Sequence, residues 1–108
     1  MLKMPFSEKK KLVIKERVRH LEQRMKIRLA EKEAITQRIL TIGSVEELVR
    51  LRKELLGDLR TFIAAESFLK ETKQIGLVAV NKDIIGRLKI ELHNIDKMVE
   101  KRKATPNN

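Results

Sequence analysis

The chain has no cysteine, tryptophan or tyrosine, and only three phenylalanines, four glycines and two prolines in 108 residues. Without cysteine there is no disulfide framework, no thiolate metal site and no cysteine nucleophile. That fits an intracellular (cytoplasmic or nucleoid-associated) or virion-internal protein. Glycine and proline are too scarce for the many turns of a β fold. No apolar run approaches the length of a bilayer span. Met1–His20 lacks the apolar stretch of a signal peptide, and Glu8 and Glu16 argue against a transit peptide. There is no Gly-rich phosphate loop, no nucleophile elbow and no HExxH. His20 and His93, the only histidines, have no metal-ligand spacing and read as surface residues. These absences predict a protein that is not an enzyme, with no cofactor, no metal and no small-molecule substrate.

What is present is charge and helix-forming residues. Charged residues make up 37% of the chain and hydrophobic ones 42%, which argues against disorder throughout. Leu, Ile, Lys, Arg and Glu dominate, as in long helices. The net charge is +10, and it is not spread evenly. Met1–Arg28 holds ten Lys and Arg against three Glu, Leu29–Val80 is neutral, and Asn81–Asn108 is +3. A localised cationic segment points to a polyanionic partner.

The apolar spacing predicts an all-α fold. Ser7 reads as the N-cap of a first helix spanning about 7–41, with Ile14, Val18, Leu21, Met25, Ile35, Ile39 and Ile42 in a three-four alternation. Arg28 and Lys32 fall in the gap of that seam. Gly43 suits the C′ position after the helix, and Ser44-Val45-Glu46-Glu47 is a capping box opening the next one. So short a connection predicts an antiparallel hairpin. Helix two spans about 45–74, and its apolar arc is wide enough for a neighbour on each side. Gly76 reads as its end, Leu77–Val80 as an apolar connector and Asn81 as the N-cap of a shorter third helix over about 82–103. The polar tail 104–108 reads as disordered. The expected architecture is therefore one elongated domain of the three-helix-bundle or coiled-coil type: a long hairpin of helices one and two, with a shorter third helix. A helix-turn-helix over Gln74–Leu92 has a compatible length but no diagnostic residue.

On the first helix, Lys11, Lys15, Arg19 and Lys26 flank one side of the seam, and Lys10, Arg17, Arg24 and Arg28 the other. With Ser7 as N-cap, Lys9, Lys10 and Lys11 sit in the first turn, where the helix dipole disfavours cations. Few acidic residues are placed to offset them. The expected nucleic-acid contacts are Lys9, Lys10, Lys11, Lys15, Arg17, Arg19, Arg24 and Lys26. Lys101-Arg102-Lys103 is sufficiently explained by the dipole at the end of helix three. Folding helix two back about Gly43 pairs residues whose numbers sum to about 86. That sets Arg17 and Arg24 opposite Glu66, Arg28 near Asp58 and Lys32 near Glu54, a set of polar pairs that would fix register.

Aromatic residues are too few for a base-stacking platform, so any nucleic acid would be held by its phosphates with little sequence readout. The expected role is a non-enzymatic accessory, architectural or packaging factor. The alternative is an interaction module (a scaffold, adaptor or chaperone) whose basic helix docks on an acidic protein. The long first helix, only partly covered by its neighbours, predicts a homo-oligomer, most simply a dimer. Membrane attachment is disfavoured because Phe6 alone is a poor interfacial anchor.

Overall fold

Gly43-Ser44, the break most strongly signalled in the sequence, separates the first two helices. The computed structural model describes the backbone of residues 3–104 and the surroundings of side chains from Glu8 to Ala104. The chain is an all-α three-helix bundle of α1 (Lys3–Thr41), α2 (Val45–Glu71) and α3 (Ile75–Ala104). At Ser44 the Glu47 amide donates to the Ser44 hydroxyl oxygen at 3.1 Å, and that hydroxyl donates to the Glu47 carboxylate at 3.3 Å. Glu46 and Glu47 also meet the positive end of the helix dipole. Gly43 does not use the left-handed conformation expected of a C′ glycine. Its carbonyl instead accepts from Arg102 Nη1 at 2.8 Å, which ties the end of α3 to the first loop.

The second break differs from the expected one. Helix α2 ends at Glu71, and the left-handed position falls on Lys73, with φ 60°. The Lys73 amide donates to the Lys70 carbonyl at 3.1 Å, and the Gln74 amide to the Leu69 carbonyl at 2.9 Å. This pair of bonds is a Schellman motif, built on lysine where glycine is usual. Gly76 then lies inside the first turn of α3, where it costs little. Leu77–Val80 is not a connector but the opening of α3, and Leu77, Val78 and Val80 pack half-buried against the core. Residues 75–104 form one continuous helix, so the helix-turn-helix reading fails. At 30 residues α3 is longer than α2, at 27, rather than a short third element.

Asn81 explains the misplaced boundary. It is fully buried and is not a cap. Leu77, Asn81, Ile84, Leu88 and Ile95 continue one helical stripe, and a polar residue in that stripe looks like a stop signal. Its Nδ2 donates to the Phe62 carbonyl across the α2–α3 interface at 2.8 Å. An amide reaching a neighbour's backbone requires close approach, and α2 and α3 are the most closely packed pair. Arg52 and Asp96, 2.8 Å apart, bridge the same two helices nearer the other end.

Helix α1 also starts earlier than expected. It begins at Lys3, so Ser7 lies within it, and Pro5 sits in the first turn, where a missing N–H is harmless. α1 runs antiparallel to α2 and parallel to α3. Its seam from Val18 to Ile42 is covered by both, and the core joins Leu21, Met25, Ile35 and Ile39 to Leu48, Leu55, Phe62 and Leu69 of α2 and Ile84, Leu88 and Ile95 of α3. The expected dimer rested on an uncovered seam. That seam is covered from Val18 onward within one chain. The expected tail lies at residues 105–108, outside the described residues, while Ala104 belongs to α3.

The Schellman turn gives a direct test. A left-handed conformation strains an L-residue by about 1–2 kcal/mol. Lys73→Gly should therefore stabilise the fold by about 1 kcal/mol after the entropy cost of glycine. A lower denaturant midpoint than the parent would count against this geometry.

Candidate polyanion-binding surface

The position of the basic helix follows from three contacts with α2. Arg28 Nε lies 2.8 Å from Asp58 Oδ2, and Arg24 Nη2 lies 2.9 Å from Asp58 Oδ1. One turn or more nearer the amino end, the Arg17 guanidinium stacks 4.1 Å over the Phe68 ring centroid. Counting back from Arg17–Phe68 brings Ile14 level with Glu71, the last residue of α2. Lys11 and Gln74 line the same shallow hollow beside the second turn. Residues ahead of Lys11 thus run past the end of the α2–α3 hairpin by about 12 Å at 1.5 Å per residue.

Burial agrees with that register. Val18 is the first buried side chain of α1 and Ile14 is half-buried, while every described residue from Glu8 to Val13 is exposed. Leu12 and Val13 are 63% and 67% exposed. Lys9, Lys10, Lys11 and Lys15 are exposed and form no ion pair among the described residues. The earlier helix start removes one argument about them. They lie beyond the first turn, where the dipole has largely faded. What distinguishes them is that no part of the bundle uses them.

The other expected contact residues divide. Lys26 is exposed and unpaired among the described residues. Arg19 is exposed, with a loose 3.8 Å approach to Glu16 one turn away, an interaction of little energy. Arg17 and Arg24 are engaged with α2 through Phe68 and Asp58. Helix α1 therefore presents two clusters: an unengaged one at Lys9, Lys10, Lys11, Lys15, Arg19 and Lys26, and an engaged one at Arg17, Arg24 and Arg28.

The expected Arg28–Asp58 pair forms, with both side chains about one-seventh exposed. Two other expected pairings do not. Arg24 turns to Asp58 rather than Glu66, and Glu66 is half-buried with no ion pair among the described residues. Lys32 faces away from Glu54, into a groove between α1 and α3. The register agrees with the sum rule at Arg28–Asp58 and Arg17–Phe68; Arg24 stands level with Phe62, one turn from Asp58 and one turn from Glu66, and takes Asp58. Sequence reasoning also missed Glu91. It is buried on α3 and its carboxyl is held above its usual range by loss of solvation, partly offset by the positive charges of Arg87 and Arg28. Its one signal in the sequence was its place beside Leu88, Leu92 and Ile95.

The chain matches no protein-family model, no curated protein and no solved structure. The arrangement is therefore read on its own chemistry. Among the described residues there is no group of His, Asp and Glu able to hold a metal ion, and no helix long and apolar enough to cross a membrane.

Two measurements test this description. Asp58→Ala leaves the half-buried Arg28 without its acceptor and should cost about 2–3 kcal/mol by chemical denaturation; a loss under about 0.5 kcal/mol would show the clamp to be energetically idle. Glu91 gives a pH dependence. Its raised carboxyl means that the folded state holds the proton more tightly than the unfolded chain. That contribution favours folding below the unfolded value of about 4.3 and is lost as pH rises through the folded value. Glu91→Gln should therefore raise the thermal midpoint at about pH 7 and change it little at about pH 4. A lowered midpoint at neutral pH would mean that the carboxylate is a stabilising partner instead.

Proposed function

We propose that this protein is a non-enzymatic polyanion-binding factor that grips nucleic-acid phosphates with the free end of α1, without sequence preference. The observation that carries the reading is the run of cations Lys9, Lys10, Lys11 and Lys15 on a helix projecting past its own bundle, unpaired among the described residues. Arg19 and Lys26 extend the same exposed side of α1. A single projecting helix about 10–12 Å across can lie in a groove of a duplex or along its backbone. With no tryptophan or tyrosine in the chain, affinity would come from charge and counterion release rather than stacking. Such binding suits an accessory, architectural or packaging role.

A second reading has its own support. Leu12 and Val13 are exposed on the same arm, and phosphate binding makes no use of them. They would suit docking of the arm on an acidic protein with an apolar contact.

Salt titration decides between these. Affinity for a random duplex should fall steeply as salt rises. Replacing Lys9, Lys10, Lys11 and Lys15 together by alanine should flatten the log–log slope by about 3, at roughly 0.9 per lost phosphate contact, without lowering the thermal midpoint. Arg17→Ala and Arg24→Ala should lower stability first, because both side chains hold α1 to α2. If the parent protein fails to bind duplex or single-stranded nucleic acid at low salt, the nucleic-acid reading is wrong and the acidic-protein reading takes its place.

A further inference from the structure

Between the middle of α1 and the first half of α3 lies an open groove of about 380 Å³, distinct from the projecting arm. Its size falls in the lower part of the range for small-ligand sites. Four cations line it: Arg28 and Lys32 from α1, and Lys82 and Arg87 from α3. Asp83 and Glu91 are the carboxylates facing them. Lys32, Lys82 and Arg87 form no ion pair among the described residues. Charges of one sign gathered from two helices repel one another, and beyond the Arg28–Asp58 clamp and a partial offset of Glu91 the fold makes no use of them.

One buried atom of a groove residue is also unsatisfied. Arg28 Nη1 is buried without an acceptor, although Nε of the same side chain is bonded to Asp58. Glu91 beside it is 4% exposed as a residue, and its carboxylate oxygens, which make no hydrogen bond among the described residues, keep some contact with solvent. Buried polar atoms are nearly always partnered, so the orphaned guanidinium nitrogen beside the groove points to a missing acceptor. That group must accept from a guanidinium, and a donor on it would suit the Glu91 carboxylate. The adjoining wall is apolar: Leu29 and Ile90 stand 42% and 57% exposed beside buried Ile35.

We infer that the α1–α3 groove is a binding site for a small phosphate monoester with an apolar body, seated with its phosphate between Arg28, Lys32 and Arg87 and its body along Leu29 and Ile90. A phosphate monoester has three strong acceptor oxygens, and with a second pKa of about 6 its monoanion also carries a hydroxyl to donate. A carboxylate ligand lacks that donor and carries less charge. The sequence alone predicted no small-molecule substrate, because the groove residues come from segments about fifty positions apart. The site stands independently of the reading of the arm.

The test uses the full chain and n-hexyl phosphate, with inorganic phosphate, 1-hexanol and hexanoate as comparison ligands in calorimetry. Hexyl phosphate should bind saturably, about tenfold or more tighter than any of the three. Lys32→Ala with Arg87→Ala should weaken it by about tenfold or more, since two charge-assisted contacts are lost. Gly86→Leu supplies a variant that will still fold. A Cβ there meets nothing within 4 Å, leucine is a better helix former than glycine, and its side chain would occupy the groove. This variant should be at least as stable as the parent and lose hexyl phosphate binding. The variant lacking Lys9, Lys10, Lys11 and Lys15 should retain it, so failure of the arm and failure of the groove are told apart. Equal binding of hexyl phosphate and inorganic phosphate, no saturable binding, or full binding by Gly86→Leu would each overturn the proposal. So would displacement of hexyl phosphate by an unphosphorylated duplex whose own affinity falls in Lys32→Ala/Arg87→Ala, because the groove would then belong to the nucleic-acid footprint.

Discussion

Asp58 is the hinge of this structure. One carboxylate of α2 takes a hydrogen-bonded ion pair on each oxygen, from Arg28 and from Arg24, both on α1. Hydrophobic contact alone would hold α1 on the α2–α3 hairpin but would not choose its register, because one seam residue resembles the next. A charge clamp with defined geometry does choose. Once Arg28 is set on Asp58, Arg17 reaches Phe68, the seam closes from Val18 onward, and the first turns of α1 are left beyond the hairpin. The projecting arm is thus a consequence of register.

The three helix pairs are held together in different ways. Between α2 and α3 an amide touches backbone directly, and the helices pack tightly. Between α1 and α2 two long arginines span to a short aspartate, and the helices stand further apart. Helices α1 and α3 approach more closely than α1 and α2 do, yet along part of their contact Lys32, Lys82, Arg87 and Glu91 line a groove. The bundle thus has a tight side, a clamped side and a grooved one, and cations without an ion pair gather along the groove.

Much of the fold was legible in the sequence, for reasons that are local. Glu47 three residues after Ser44 is a capping signal that needs no tertiary partner, and the three-four spacing of Val18, Leu21 and Met25 is helical by itself. Ser7 and Asn81 misled because a polar residue beside an apolar run suits a cap or a buried bridge equally well. Asn81 is the bridge, which only the nearby Phe62 carbonyl reveals. Lys73 misled in the opposite way: its left-handed turn is imposed by the packing of α2 on α3, and no propensity announces it. For the candidate surface, composition located the charge on the first helix and spacing placed it on the flanks. Which cations were left over depended on Asp58 and Phe68, neighbours forty or more positions away from much of the arm.

The sequence by itself determined that the chain is helical, where its first loop falls, and that its positive charge is concentrated at one end. Those properties follow from backbone propensity, capping and composition, each settled within a few residues. Only the tertiary structure decided that α3 is a full-length partner of α2, that Arg17 and Arg24 serve the fold while Lys9, Lys10, Lys11 and Lys15 do not, and that Arg28, Lys32, Lys82, Arg87 and Glu91 share a groove. Register and through-space electrostatics join residues far apart in the chain, and periodicity along one helix cannot specify either.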